Sequence, residues 1–246
     1  MKKINQKQKK KQSYIFQIGF NRCATQSLTN AFQKLHLKTI HHNFKFSSQC
    51  HRSYLALVMY NNLRTGDHKI LRNELSKYQC FLDMEYIYQN YHLCFYTYFK
   101  EIEQQYPGSS FIMNIRPCSS WIISRIKLGK LKNANEYYKN ITEDKCKEWV
   151  QHYFEHSLQV RDYFQKPHVK KRSKLYILPI GYKTISQLFV EMNLTHQNIQ
   201  NEKINFIQNI KLSNEEKQLP SSVLELIQQL TTQYGDPSNP IFWKSI

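Results

Sequence analysis

The chain has 246 residues, of which 41% are hydrophobic, and this size suits one large α/β domain with a sizeable core. With 6 Gly and 7 Pro, the composition excludes fibrous and low-complexity classes. The formal net charge of +17 predicts an anionic partner: nucleic acid, a membrane surface, a sulfated glycan or a phosphorylated nucleotide. Lysines crowd the first eleven residues, so we expect a flexible basic tail over 1–12 and one folded domain over 13–246.

The six cysteines form no C-x-x-C pair, which favours free thiols in a reducing compartment. The basic start is not followed by an uninterrupted apolar run, and the apolar stretches are too short to span a bilayer. These features predict a cytoplasmic protein without a signal peptide or transmembrane segment.

Short apolar runs alternate with helical patterns along the chain. The runs 14–18, 38–42, 80–84, 111–115 and 175–180 predict buried strands. Helices are predicted over 25–35, 54–62, 69–77, 91–105, 119–128, 144–164, 184–192 and 221–234, and a loop or short helices over 194–220. This alternation predicts an α/β three-layer sandwich with a central parallel sheet, whose sites lie at the carboxyl ends of its strands.

The first strand runs directly into a loop and then a helix, with the sequence GFNRCATQSL over residues 19–28. Backbone N–H groups of such a turn attract phosphate; Arg22 adds a charge, and Thr25, Gln26 and Ser27 add hydrogen-bond donors. An ordinary capped loop is the alternative. Ala24 and Thr25 stand where a nucleoside-triphosphatase P-loop has Gly and Lys, which disfavours a kinase.

A second strand–turn–helix segment has the sequence FIMNIRPCSSWIISR over residues 111–125. Arg116 ends the strand, and Ser124 points back toward it from the helix. A guanidinium and a hydroxyl together suit a phosphate monoester, although a surface Arg beside a polar helix face gives the same pattern.

Together, the two segments resemble the loops of sulfotransferases that use 3′-phosphoadenosine 5′-phosphosulfate (PAPS), bacterial-type members included. The first segment resembles the family's 5′-phosphosulfate loop, which has the pattern G-F-x-[KR]-[TS]-G-T-[TS]-S-L in many members. The second segment resembles the family's 3′-phosphate motif, in which an Arg after a strand is followed eight residues later by a Ser in the next helix. The resemblance covers residues 14–128 well and 174–193 loosely. It implies a P-loop-like nucleotide-binding topology, with the 5′-phosphosulfate and 3′-phosphate held by two sets of residues: Arg22, Cys23, Ala24, Thr25, Gln26 and Ser27 for the first, and Arg116 and Ser124 for the second.

The family's chemistry also needs a positive charge at the leaving phosphate and a base for the acceptor hydroxyl. The resemblance assigns the charge to Arg22. It favours Asp83 as the base, because similar bacterial members have an aspartate at this position. His42, which has a comparable place at a strand end, is the second candidate, and His41 and Glu85 also stand at strand ends. The implied cofactor is PAPS, the product is 3′-phosphoadenosine 5′-phosphate (PAP), and no metal is implied.

Three further patterns carry less weight. His152 and His156 have helical metal-ligand spacing without a third ligand, so a solvated helix face is expected. The aromatic residues between 86 and 99 are expected to pack in a helical core, with an acceptor or adenine pocket as the alternative. The cluster between Lys170 and Lys174 is expected to be a basic loop rather than a phosphate contact.

The leading hypothesis is transfer of a sulfuryl group to a hydroxyl of a carbohydrate, lipid or small metabolite. The departures at Ala24 and Gln26 leave open a catalytically impaired nucleotide-binding protein. A kinase and a basic nucleic-acid-binding protein are weaker alternatives, because the P-loop Lys and any RNA- or DNA-reading motif are missing. The acceptor and the oligomeric state cannot be predicted from this sequence.

Overall fold

The computed structural model describes residues 13–45, 52–66, 75–89, 91–131, 136–139, 141–194 and 219–244. The predicted basic tail over 1–12, the first part of the predicted helix 69–77 and most of the segment 194–220 lie outside these residues.

All five predicted strands are confirmed and form the parallel centre of one sheet: β1 (Ile15–Gln17), β2 (Thr39–His41), β5 (Cys80–Leu82), β8 (Ser110–Ile115) and β9 (Lys174–Pro179). Two antiparallel strands, β3 (Asn43–Lys45) and β4 (Arg52–Tyr54), extend it beyond β2. The strand order is β4-β3-β2-β5-β1-β8-β9. Strand β1 is therefore central, and the loops that follow β1, β5 and β8 open at the same edge of the sheet.

Helices cover both faces of the sheet. They are α1 (Thr25–Lys34), α2 (Leu55–Thr65), α3 (Phe99–Gln105), α4 (Cys118–Gly129), α5 (Glu136–Lys139), α6 (Glu143–Phe164), α7 (Pro167–Arg172), α8 (Ile185–Glu191) and α9 (Ser221–Tyr234). Short 3₁₀ turns lie at Leu75–Lys77, Phe95–Tyr98 and Pro240–Trp243. Helix α9 begins after Pro220 without a side-chain cap.

Alternate strand residues enter two separate hydrophobic cores. Phe16 and Phe111 pack with helices α2, α3, α4 and α6, whereas Ile15 and Ile112 pack with α1 and α8. A parallel sheet buried on both faces requires near-continuous apolar strands, which is what the sequence contains. The predicted three-layer α/β sandwich is confirmed.

The helix predicted over 91–105 is wrong in its first part. Residues Tyr91–Cys94 form strand β7, which pairs antiparallel with β6 (Glu85–Tyr88), and helix α3 begins at Phe99 after a 3₁₀ turn. The tyrosines of this stretch suit a two-residue strand period as well as a helix, and the buried contact of Glu85 with Arg125 favours the strand.

Among the residues described, no helix combines the length and the apolar character that crossing a membrane would need.

Candidate functional site

The loop after β1 approaches β8 closely enough to require Gly19. A Cβ atom on Gly19 would lie 2.2 Å from the Asn114 carbonyl oxygen. Arg22 and Ala24 have φ values of 60° and 61°, in the left-handed region that favours glycine. Ala24 is also the N-cap of α1, so the loop delivers the chain directly to a helix N-terminus whose first N–H groups have no partner within the helix.

Two buried amides hold this loop against the strand tips. The Gln17 side chain donates to the Gly19 carbonyl oxygen at 2.5 Å and to Asn114 Oδ1 at 2.6 Å, and its own oxygen accepts from the Asp83 N–H at 2.7 Å. Asn114 Nδ2 donates to the carbonyl oxygens of Phe20 at 3.1 Å and Cys23 at 2.5 Å. The tips of β1, β5 and β8 are thus fixed to one another. Sequence reasoning missed both amides, whose signal was a polar residue inside an apolar strand.

The two anion loops, which are the predicted phosphate-binding turns within residues 19–28 and 111–125, contact each other. Arg116 Nη1 donates to the Arg22 carbonyl oxygen at 3.3 Å, and Arg22 Nε donates to Ser124 Oγ at 3.4 Å. The expected pairing of Arg116 with Ser124 takes a different form, because Arg116 Nη2 bonds Ser120 Oγ at 2.7 Å. Arg116 Nε is buried without a hydrogen-bond partner among the described residues. Two guanidinium groups and two serine hydroxyls therefore share one side of the loop.

The remaining predicted binding residues differ in what they present. Cys23 is fully buried, and its side chain packs in the core that contains Phe16. The Thr25 hydroxyl lies 3.2 Å from His41 Nε2, and the Gln26 amide bonds Asn30 on its own helix. Ser27 is half-buried on the first turn of α1.

Asp83 lies beside both histidines at the end of β2, of which His41 is the last residue of the strand and His42 follows it. Asp83 Oδ2 is 3.6 Å from His41 Nε2 and 3.7 Å from His42 Nδ1. His42 and Asp83 have φ values of 60° and 55°, so four left-handed residues, Arg22 and Ala24 included, concentrate at this edge of the sheet. Non-glycine residues in this region are strained, and such strain gathers at functional sites.

The carboxyl group of Asp83 titrates near neutrality. Burial, together with the negative charge of Glu85, raises the pKa of Asp83 to about 7, although the charge of Arg22 opposes the shift. Burial lowers the pKa of His42, and burial with the charge of His42 lowers the pKa of His41 to about 4. Both imidazoles are therefore neutral at pH 7, and Asp83 exchanges a proton most readily there.

A buried ion pair lies directly behind this site. Arg125 is 1% exposed and Glu85 is 4% exposed, and Glu85 Oε1 accepts from Arg125 Nη1 at 3.2 Å and Nη2 at 3.3 Å. Arg125 Nη1 also donates to Asn21 Oδ1 at 2.7 Å, and its guanidinium lies over the rings of Trp121 and Trp149. Arg125 thus connects the loop of Arg22, the helix of Ser124 and the hairpin that follows Asp83. Sequence reasoning considered Glu85 as a base and missed Arg125.

The protonation of Glu85 differs from that of Asp83. Burial alone would raise the pKa of Glu85, but the charge of Arg125 and the contact with His92 lower it to about 2. Glu85 is therefore a fixed carboxylate, and a base role for it is disfavoured.

Glu85, His92 and Cys94 offer ligand atoms within 4.8 Å of one another on one face of the β6–β7 hairpin. These atoms already have partners. His92 Nε2 is 2.5 Å from Glu85 Oε1, the Tyr137 hydroxyl is 2.9 Å from His92 Nδ1, and Arg125 occupies the same carboxylate oxygen. The buried guanidinium already neutralises Glu85, so the group acts as a hydrogen-bond network.

Two expectations outside the site need correction. His152 and His156 do not form a solvated face: the rings stack at 6.0 Å, His156 is buried, and its Nε2 lies 2.7 Å from the Ile18 carbonyl oxygen. The basic cluster is not a loop, because Lys170 lies on α7 and Lys174 begins β9. Since Lys174 pairs with Ser110 at the amino end of β8, the cluster lies at the end of the sheet opposite Arg116.

A family model described as a sulfotransferase domain matches residues 14–176. A comparison with curated proteins finds no match. The matched stretch is more than half of the chain and contains both anion loops, Asp83 and the buried ion pair. The chain therefore belongs to the sulfotransferase domain family.

Proposed function

We propose that this sulfotransferase-family chain uses PAPS as its donor and transfers the sulfuryl group to an acceptor hydroxyl. The observation that carries the proposal is the contact between the two anion loops, in which Arg116 Nη1 donates to the Arg22 carbonyl oxygen at 3.3 Å. Had Arg116 faced the other edge of the sheet, one ligand could not have engaged both guanidinium groups.

The residues suit a ligand with two phosphate groups. Arg116, with an unpartnered buried Nε, and Ser124 would hold the 3′-phosphate, and the N–H groups from Ala24 to Ser27 would hold the 5′-phosphosulfate. The donor supplies an activated sulfuryl group. Arg22, between Ser124 and Asp83, would stabilise the negative charge that develops on the leaving phosphate.

Asp83 would accept the proton of the acceptor hydroxyl. Its side chain is 17% exposed, so it can be reached from solvent, and its raised pKa makes it a stronger base than an ordinary carboxylate. His42 would orient this carboxylate through the Nδ1 atom, which has no hydrogen-bond partner among the described residues.

The described cysteines are all free, which supports the expected reducing, cytoplasmic location.

The donor is tested by isothermal titration with PAP and with AMP, which lacks the 3′-phosphate. Arg116→Ala should weaken PAP binding about 10- to 150-fold, the value of one or two charge-assisted hydrogen bonds, and should leave AMP binding unchanged. Arg64→Ala, which removes an exposed charge from the last turn of α2, is the matched control. Equal affinities of the wild-type protein for PAP and AMP would exclude this donor.

A catalytically impaired protein is the second candidate, and the left-handed φ of Ala24 favours it because family members commonly have Gly at this position. Compared with Gly, the Cβ of Ala24 would add a methyl group beside a phosphate bound by this loop. PAP binding without sulfate transfer to any acceptor, with transfer restored in Ala24→Gly, would establish this second candidate.

A further inference from the structure

A row of tyrosine rings extends from the candidate base along the outer surface of the hairpin. Tyr54 is the last residue of β4, and Tyr86, Tyr88 and Tyr91 belong to β6 and β7. Tyr54, Tyr88 and Tyr91 are 40%, 58% and 48% exposed. An exposed aromatic cluster of this kind on a protein surface commonly marks a binding surface.

The strand pairing places these tyrosines on the face of the hairpin away from Arg125, where Tyr88 and Tyr91 are exposed and Tyr86, opposite the buried Leu93, packs partly against the core. Glu85 lies opposite Cys94, and both face Arg125, whereas Tyr88 lies opposite Tyr91 on the other face of the hairpin. Successive residues of a strand point to opposite faces. The tyrosines are therefore separate from the hydrogen bonds that hold the hairpin in place.

The row is continuous with the site. The His42 ring, whose Nδ1 is 3.7 Å from Asp83 Oδ2, lies 5.4 Å from the Tyr54 ring. The Tyr54 ring is 4.7 Å from Tyr86, which is 6.1 Å from Tyr91. A ligand that placed a hydroxyl at Asp83 would therefore contact these rings.

The orientation of the rings selects the kind of ligand. Tyr54 and Tyr86 are tilted by 55° and Tyr86 and Tyr91 by 57°, so they do not form one plane on which a fused polycyclic ring would lie flat. They present separate faces in succession, each with a hydroxyl at its rim. Such faces suit a chain of separate rings joined by rotatable bonds, with apolar C–H faces and polar edges.

We propose that this row, defined by Tyr54, Tyr86 and Tyr91, binds an oligosaccharide and presents one of its hydroxyl groups to Asp83. The inference rests on the proposed function, because it assigns the acceptor class to the same site. It selects the carbohydrate among the acceptors that the sequence left open.

The test is saturation-transfer NMR without donor, using β-1,4-linked glucose oligomers of increasing length, oligomers of hexuronic acid, a simple phenol and a soluble steroid. Affinity should rise with oligomer length until the row is filled. Tyr91→Ala and Tyr54→Ala should each weaken oligomer binding roughly two- to tenfold, the value of one aromatic contact. Phe at the same positions should keep most of the affinity. Tyr182→Ala, which removes an exposed tyrosine beyond β9 at the opposite edge of the sheet, should have no effect.

Preference for the hexuronic acid oligomers would identify an anionic glycan, and preference for the glucose oligomers a neutral one; either supports the proposal. Binding of the phenol or steroid with no binding of either oligomer would overturn it, as would self-association that is lost in Tyr91→Ala. PAP titration on the same samples separates the two proposals. Normal PAP binding with no oligomer binding refutes the acceptor class alone, whereas absent PAP binding refutes the donor.

Discussion

Replacing Glu85 with Gln should destabilise the protein severely, because it leaves a buried guanidinium without its counter-ion. Gln keeps the size and one acceptor oxygen but removes the charge that faces Arg125, which is 1% exposed and cannot turn to water without unfolding the region. Removing one partner of a buried pair costs about 3–5 kcal/mol. The free energy of unfolding of a native protein is about 5–15 kcal/mol in total, so this destabilisation is a large fraction of it.

Urea denaturation followed by tryptophan fluorescence measures this change, and the midpoint should fall by about 1–2 M. Glu103→Gln is the matched control. Glu103 is also buried, but its partner Arg172 is 39% exposed and can be hydrated once the carboxylate is gone, so the loss should be smaller. A double variant that also replaces Arg125 with Leu should recover part of the stability of Glu85→Gln.

The pH dependence gives an independent check. Because the pKa of Glu85 is lowered from 4.5 to about 2 in the folded protein, its ionised form contributes stability above pH 4.5, and this contribution is lost as the pH falls toward 2. The difference between wild type and Glu85→Gln should shrink over that range. Equal losses for Glu85→Gln and Glu103→Gln, or a difference constant with pH, would refute the reasoning.

Three other predictions concern the strand tips. Gly19→Ala should abolish PAP binding measured by titration, because its Cβ would overlap the Asn114 backbone at 2.2 Å; unchanged affinity would contradict that contact. Ala24→Gly should raise the free energy of unfolding by up to about 1 kcal/mol, because removing the left-handed backbone strain stabilises the folded state by more than the added conformational entropy of Gly stabilises the unfolded state. A lower urea midpoint would argue against strain at Ala24. Because the folded-state pKa of Asp83 is raised to about 7, stability is lost as the pH rises from 3.8 to 7. The Asp83→Asn variant should therefore be more stable than the wild-type protein at pH 8 but not at pH 4. The rate of sulfate transfer by the wild-type protein should increase as the pH rises through about 7. The reverse pH trend in either measurement would exclude Asp83 as the base.

The parallel sheet could be predicted because its central strands β1, β5 and β8 are buried almost throughout, which leaves nearly unbroken apolar runs in the sequence. The loops of Arg22 and Arg116 could be found for a similar reason, since each directly follows such a strand. The β6–β7 hairpin could not be predicted from the sequence. Its tyrosines fit either period, and the deciding interaction, between Glu85 and Arg125, joins residues forty positions apart.

The polar residues that support the candidate site were equally difficult to predict from the sequence. Gln17 and Asn114 act through contacts with each other across 97 positions of sequence, and neither belongs to a motif. Arg125 follows Ser124 in the chain, but the burial of its charge depends on aromatic rings contributed by α5 and α6. Local patterns identify candidate ligand-binding groups more readily than the groups that hold those residues in place.

The family match ends at residue 176, inside β9 (Lys174–Pro179), yet the packing continues well beyond it. Val223 on α9 is fully buried, Ser222 bonds Glu143 at the start of α6, and the Arg161 guanidinium lies 4.5 Å from the centre of the Phe242 ring. A fragment cut at the boundary of the match would divide an edge strand and uncover the apolar side of α6. Recombinant truncations of this chain should therefore retain the C-terminal residues through Trp243, or they will aggregate during expression.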